Sequence, residues 1–269
     1  MNIARRSAVV LAALAGILGV TASASAAVTT VGYDVSYPQC DTTLPGDHAF
    51  GIVGVNGGLS TRANPCLSQQ LTWAWSSSGV VTAQPKAQVY LNTANPGAVT
   101  PTVASWPKTG STPYGTCTGT NSTACSWEYG RLRANYATTA FTSAAKAAAG
   151  DSRISSYIWW LDVETANSWE PNTSTGHALN RATLEGMTAA IVGQGGRIGL
   201  YSTGLQWSTI VGTTPTTSNL AGRLDWLATG TNSLTAAKSY CTKPALTPGG
   251  HVTLAQYVVN GLDRDYNCG

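Results

Sequence analysis

Two carboxylates, Asp162 and Glu164, stand two positions apart in Trp160-Leu161-Asp162-Val163-Glu164-Thr165, at the end of an apolar run from Tyr157 to Val163. Acidic residues are scarce, 12 in 269, so a pair set into apolar surroundings is conspicuous. The run reads as a buried strand. On a strand, positions i and i+2 point to the same face, roughly 6–7 Å apart along the chain, while Val163 points into packing on the other side. Carboxyls held side by side at a buried strand end desolvate and repel each other, which raises the proton affinity of one of them. A general acid and a charged partner then arise from one kind of side chain. The structural alternative is an Asp that caps the next helix beside a surface Glu.

Other apolar runs also end in polar groups. The first leads into Gly32-Tyr33-Asp34-Val35-Ser36-Tyr37-Pro38-Gln39; the last gives Leu254-Ala255-Gln256-Tyr257, followed by Leu262-Asp263-Arg264-Asp265. In a parallel barrel the active site lies at the carboxyl ends of the strands. Asp34, Asp162, Glu164 and one of Asp263 or Asp265 would then meet at one mouth. Asp34 has its own structural alternative, capping the turn that follows its strand. Several acids at one mouth could also ligate a divalent cation, but no ligand-dense loop motif accompanies them, and no metal or cofactor is expected.

The elements that would position these residues are short apolar runs alternating with helical or polar stretches. Strands are expected near 31–35, 50–55, 88–92, 156–163, 197–202, 224–229 and 252–258, and helices near 67–76, 131–149 and 180–194. Strands alternating with helices argue for a parallel sheet, and this many units argue for a closed barrel in a single α/β domain. A doubly wound open sheet is the rival; no Gly-rich phosphate loop follows the first strand to favour its dinucleotide-binding version. Trp159 and Trp160 are adjacent, so at least one must face the helices. The segment from Asn95 to Trp127 is dense in Pro, Gly, Ser and Thr, and its two cysteines argue for an ordered loop over the sheet.

The chain opens with Arg5 and Arg6, an apolar stretch from Ala8 to Val20, and Ala24-Ser25-Ala26, the pattern of a secretory leader over residues 1–26. Its apolar part is too short to span a membrane comfortably, and a secreted, extracellular protein starting near Ala27 is expected. Lys plus Arg number 15 against 12 acids, a net charge of +3 that falls to +1 without Arg5 and Arg6. No basic run points to nucleic acid. Low charge with many small polar residues and Trp suits a neutral polar partner such as carbohydrate. Six cysteines in an exported chain read as three disulfides, for which 15 connectivities are open. Pairing chain neighbours favours Cys40–Cys66, Cys117–Cys125 and Cys241–Cys268. A zinc site is the competing use, but there is no C-x-x-C, and His48, His177 and His251 are scattered.

The order of these motifs resembles the family 25 glycoside hydrolases, muramidase-type lysozymes. Gly32 to Gln39 matches that family's G-[IV]-D-V-S-x-x-Q with Tyr33 in the apolar slot, and Asp162 and Glu164 match its D-x-E. Gly199-Leu200-Tyr201-Ser202 matches a strand ending in Tyr, and Trp226-Leu227-Ala228 matches W-x-A. Gln256-Tyr257 and Asp263-Arg264-Asp265 match the final W-Q-Y and D-x-[ND]. The chain departs from the pattern at Asn56, where the family has Lys, at Val89-Tyr90-Leu91-Asn92, where it has Y-H-F, and at Ala255, where it has Trp.

The resemblance implies an irregular (β/α) TIM-like barrel and hydrolysis of a β-1,4 bond after N-acetylmuramic acid in peptidoglycan, or in a related amino-sugar polymer. Glu164 would protonate the leaving oxygen, and Asp162 would orient the 2-acetamido group and stabilise the positive intermediate if the reaction is substrate-assisted. Direct attack by water with inversion is the other route, decided by the carboxyl separation. Asp34 and Asp263 would hold sugar hydroxyls or tune the pair, with Gln256 beside them. Tyr201 and Trp226 would present rings to sugar faces, and Tyr37, Tyr90 and Trp169 are looser candidates. For each ring the alternative is core packing. The expected partner is a polysaccharide bound by a monomer, with neither nucleic acid nor membrane involved. A non-catalytic sugar-binding barrel and a metal-dependent esterase are the rival functions.

Overall fold

The computed structural model describes residues 29–97 and 103–269, so the expected leader lies outside the described residues. Eight strands close into a barrel: β1 (Gly32–Val35), β2 (Gly51–Gly54), β3 (Ala87–Asn92), β6 (Ile158–Asp162), β7 (Arg197–Ser202), β8 (Leu224–Ala228), β9 (His251–Val259) and β10 (Leu262–Asn267). The first seven run parallel; β10 is antiparallel to both β9 and β1 and closes the ring. The turn before β10 explains its direction. Asn260 and Gly261 both take positive φ, 54° and 74°, which a two-residue hairpin turn requires and which Asn-Gly supplies at low steric cost.

Alternation along each strand divides the apolar side chains into two layers. Trp159 and Leu161 face outward into the core between sheet and helices, where Phe141 meets Trp159 edge-on at 5.0 Å. Trp160 faces inward with Phe50, Ile52, Tyr201, Trp226 and Leu254, filling the barrel. Gly199 is what admits Trp160, since a Cβ there would lie 2.2 Å from the indole. The buried indole N–H donates to Gln88 Oε1 (2.8 Å), Gln88 donates to Gln84 (3.0 Å), and Gln84 donates to Asn267 (2.8 Å). This amide chain pairs the Trp160 indole and the two glutamines inside the barrel, groups that would each cost about 1–3 kcal/mol if left unpaired.

Outside the barrel pack α1 (Leu67–Trp75), α2 (Thr123–Ala147), α3 (Ser174–Gly193), α4 (Gly204–Ile210) and α5 (Leu234–Tyr240). Helices α2 and α3 begin earlier than composition implies, because the signal is the cap. Ser122 Oγ accepts from Cys125 N–H (3.3 Å) and Thr173 Oγ1 from Gly176 N–H (3.0 Å). Between β3 and α2, the long polar segment carries a hairpin, β4 (Gly110–Thr112) and β5 (Gly115–Cys117). The disulfides are Cys40–Cys66, Cys117–Cys125 and Cys241–Cys268, as chain proximity predicts, with no free cysteine among the described residues. No helix among the described residues is long and apolar enough to cross a membrane.

Candidate active site

The carboxyl ends of the parallel strands surround a cavity of about 280 Å³ lined by Asp34, Tyr90, Asp162, Glu164, Tyr201, Trp226, Gln256 and Asp263. All eight lining residues were candidates from the sequence, and they meet in one place. Asp34, Tyr90, Asp162, Tyr201, Trp226 and Gln256 occupy inward positions on β1, β3, β6, β7, β8 and β9. Glu164 lies two residues beyond β6, past Val163, which is buried in the outer core. The strand thus ends sooner than the apolar run, and the general-acid candidate stands on the loop at the rim. Asp263 enters from the opposite chain direction on β10, paired in register with Asp34. Antiparallel pairing is what brings a residue at the start of one strand beside a residue near the end of another.

A polar chain orders one wall. Tyr201 Oη donates to Gln256 Oε1 (2.7 Å), and Gln256 Nε2 donates to Asp34 Oδ2 (2.9 Å). Asp34 therefore does not cap its turn; there, Gln39 Oε1 accepts from the backbone N–H of Ser36 (2.9 Å). Asp162 is 6 % exposed, and its Oδ1 has no hydrogen-bond partner among the described residues. Burial first, then the carboxylates of Glu164 and Asp34, push the Asp162 carboxyl well above the usual range. Burial and the Asp263 charge raise Glu164, which keeps partial contact with solvent. Burial and Asp263 likewise raise Asp34 against the opposing pull of the Gln256 amide, and burial raises Asp263 itself. Four acids crowded in one cavity cannot all ionise cheaply, so the group holds its protons more tightly than free carboxyls do.

The rings line the cavity as its floor. Trp226 is 2 % and Tyr201 is 8 % exposed. Trp226 contacts Tyr201 at 4.4 Å between centroids and Trp160 at 5.7 Å, with Tyr90 edge-on at 6.3 Å. Packing accounts for most of their surface, and a ligand meets only their upper edges. Tyr37 and Trp169 are outside the lining; Tyr37 is exposed over Gly58, and Trp169 packs against the outer core.

Asp265 corrects a sequence expectation. The alternative to Asp263 at the mouth, it does not line the cavity; it has no exposed surface and faces the interior beneath Asp34 and Asp263. Arg264 points the other way and lies over the Tyr33 ring at 5.5 Å. Burial with the Asp34 and Asp263 charges drives the Asp265 carboxyl far upward, against the weaker opposing pull of the Trp226 indole N–H. Among the described residues, no group of three or more His, Cys, Asp and Glu is arranged to hold a metal ion. A larger cavity, about 350 Å³, lies between α4, α5 and the chain near Leu246, and no acid lines it. No protein-family model, no curated protein and no solved structure matches this chain.

Proposed function

We propose that the protein is an exported glycoside hydrolase on an irregular TIM-like barrel, cutting β-1,4 bonds of peptidoglycan or a related amino-sugar polymer. The observation that carries this reading is the meeting of Asp34, Asp162, Glu164 and Asp263 in one polar cavity at the barrel mouth, with raised proton affinity. Glu164, half-buried on the loop at the rim, gives its proton to the glycosidic oxygen as the bond to the anomeric carbon breaks. The leaving sugar departs as an alcohol, and positive charge develops on the remaining sugar. The crowded carboxyls hold a negative potential at that point, which stabilises the charge. In the substrate-assisted route the acetamido oxygen closes on the anomeric carbon, with Asp162 orienting that group. Glu164, now a carboxylate, then takes a proton from the attacking water. The three disulfides and the leader pattern support export.

Incubation with peptidoglycan, chitin and neutral β-glucans, followed by mass analysis of soluble fragments, tests the reading. New reducing ends on amino-sugar fragments alone are expected. Fragments from neutral glucans only, or none from any polymer, would count against it.

A further inference from the structure

Every residue from Asp162 to Thr165 is held by a side chain from elsewhere. Thr93 Oγ1 donates to the carbonyl of Asp162 (2.5 Å), Ser202 Oγ to that of Val163 (2.7 Å), and Trp169 Nε1 to that of Glu164 (2.8 Å). The fourth tie differs in kind. Gln206 Oε1 accepts both the backbone N–H of Thr165 (2.6 Å) and its hydroxyl (3.1 Å).

Gln206 is the third residue of α4, behind the N-cap Thr203, whose Oγ1 accepts the Gln206 N–H (3.0 Å). In a capping box the side chain at this position returns to the backbone N–H of the cap. Here its oxygen goes instead to the loop after β6. Helix α4 gives up a local bond, and the gain is placement of the residue next to Glu164. Thr165 is exposed, so the fold gains little stability from fixing it. A loop residue that lies beyond its strand needs such support if its carboxyl is to stay over the cavity.

We propose that Gln206 is a positioning residue that holds Glu164 over the acid cavity through Thr165. The proposal rests on the reading of Glu164 as the general acid. Without the tie, the carboxyl gains freedom to turn toward solvent and away from Asp263. Burial and that charge are what raise its proton affinity, so its titration midpoint falls toward the ordinary carboxylate range.

The test compares the parent with Gln206→Met, which keeps length and loses the acceptor, and Gln206→Glu, which keeps an acceptor oxygen. Turnover of soluble amino-sugar oligomers and the carboxyl-carbon NMR titration of Glu164 are both read. Gln206→Met should leave Tm unchanged and lower kcat by about 10- to 100-fold at constant KM. It should also lower the Glu164 midpoint, and Gln206→Glu should recover most of the turnover. A parent-like Glu164 midpoint in Gln206→Met, or equal loss of kcat in both variants, overturns the proposal. If the parent releases no fragments, the glycosidase reading fails by itself, and the Glu164 titration still decides whether Gln206 positions that carboxyl.

Discussion

Asp34 and Asp263 face each other across the β1–β10 pair, on strands that run in opposite directions. Seven parallel strands bring their carboxyl ends to the mouth; the reversed eighth brings its amino end. Two carboxyls from opposite ends of the chain thereby become neighbours. Each pushes protons onto the group: Asp263 raises both Asp34 and Glu164.

Replacing Asp263 by Asn removes that charge and keeps the shape. The Glu164 midpoint should fall, and with it the pH above which the acid is lost, so the alkaline limb of the activity profile moves to lower pH. Activity along that limb drops as a result. A profile unchanged in midpoint would show that Asp263 does not set the acid.

Glu164→Gln should lower turnover by about 100- to 10,000-fold with Tm and substrate affinity near those of the parent. Asp162→Asn should also be severe, because the developing positive charge loses a partner and the acetamido group its guide. Binding measured by calorimetry alongside turnover separates a lost proton donor from a lost site.

Asp265→Asn should be mild in activity for a reason the sequence did not supply. The residue sits buried below the cavity, where burial and the Asp34 and Asp263 carboxylates outweigh the Trp226 indole N–H, so an uncharged isostere suits it better than a carboxylate. Raised Tm, with activity within about threefold of the parent, is the expected result; a surface location would leave stability within about 0.5 kcal/mol of the parent. Severe loss of activity would place Asp265 in the chemistry.

Asp225, on the outward face of β8, provides a pH test of stability away from the cavity. It is fully buried, accepts from the Leu246 N–H (2.8 Å), and burial pushes its carboxyl from the ordinary 3.8 up to about 7. The unfolded chain thus loses this proton first. Stability falls as pH rises from the ordinary value to about 7 and is level beyond it. The loss is on the order of 4 kcal/mol, at about 1.36 kcal/mol per pH unit. Asp225→Asn keeps an acceptor for Leu246, so it should raise Tm at pH above about 7 and leave it unchanged in acid; equal Tm changes at both pH values would contradict the assignment.

The seven parallel strands were legible because their outward and inward residues are both largely apolar, giving continuous runs such as Ile158 to Leu161. β10 was not, because its inward positions are Asp263 and Asp265 and its outward Arg264 adds a third charge. Hydrophobic periodicity is blind to a strand whose buried face is acidic. Asn260-Gly261 after the Val252 to Val258 run was the available signal for it. The cavity residues were legible as strand-end polar groups, and their convergence follows from the closed ring. What the sequence could not carry was depth: Trp226 and Tyr201 as floor, Asp265 as buried, and Glu164 on a loop held by Gln206.

In the proposed reaction Glu164 protonates a glycosidic oxygen at this cavity. Its most direct test is the digestion of purified peptidoglycan in heavy-oxygen water by the parent and by Glu164→Gln, followed by mass analysis of the released sugars. Heavy oxygen at the anomeric carbon of the new reducing ends is expected from the parent, with almost no release by the variant. Label on a peptide or ester carboxyl instead, or equal release by Glu164→Gln, would contradict it.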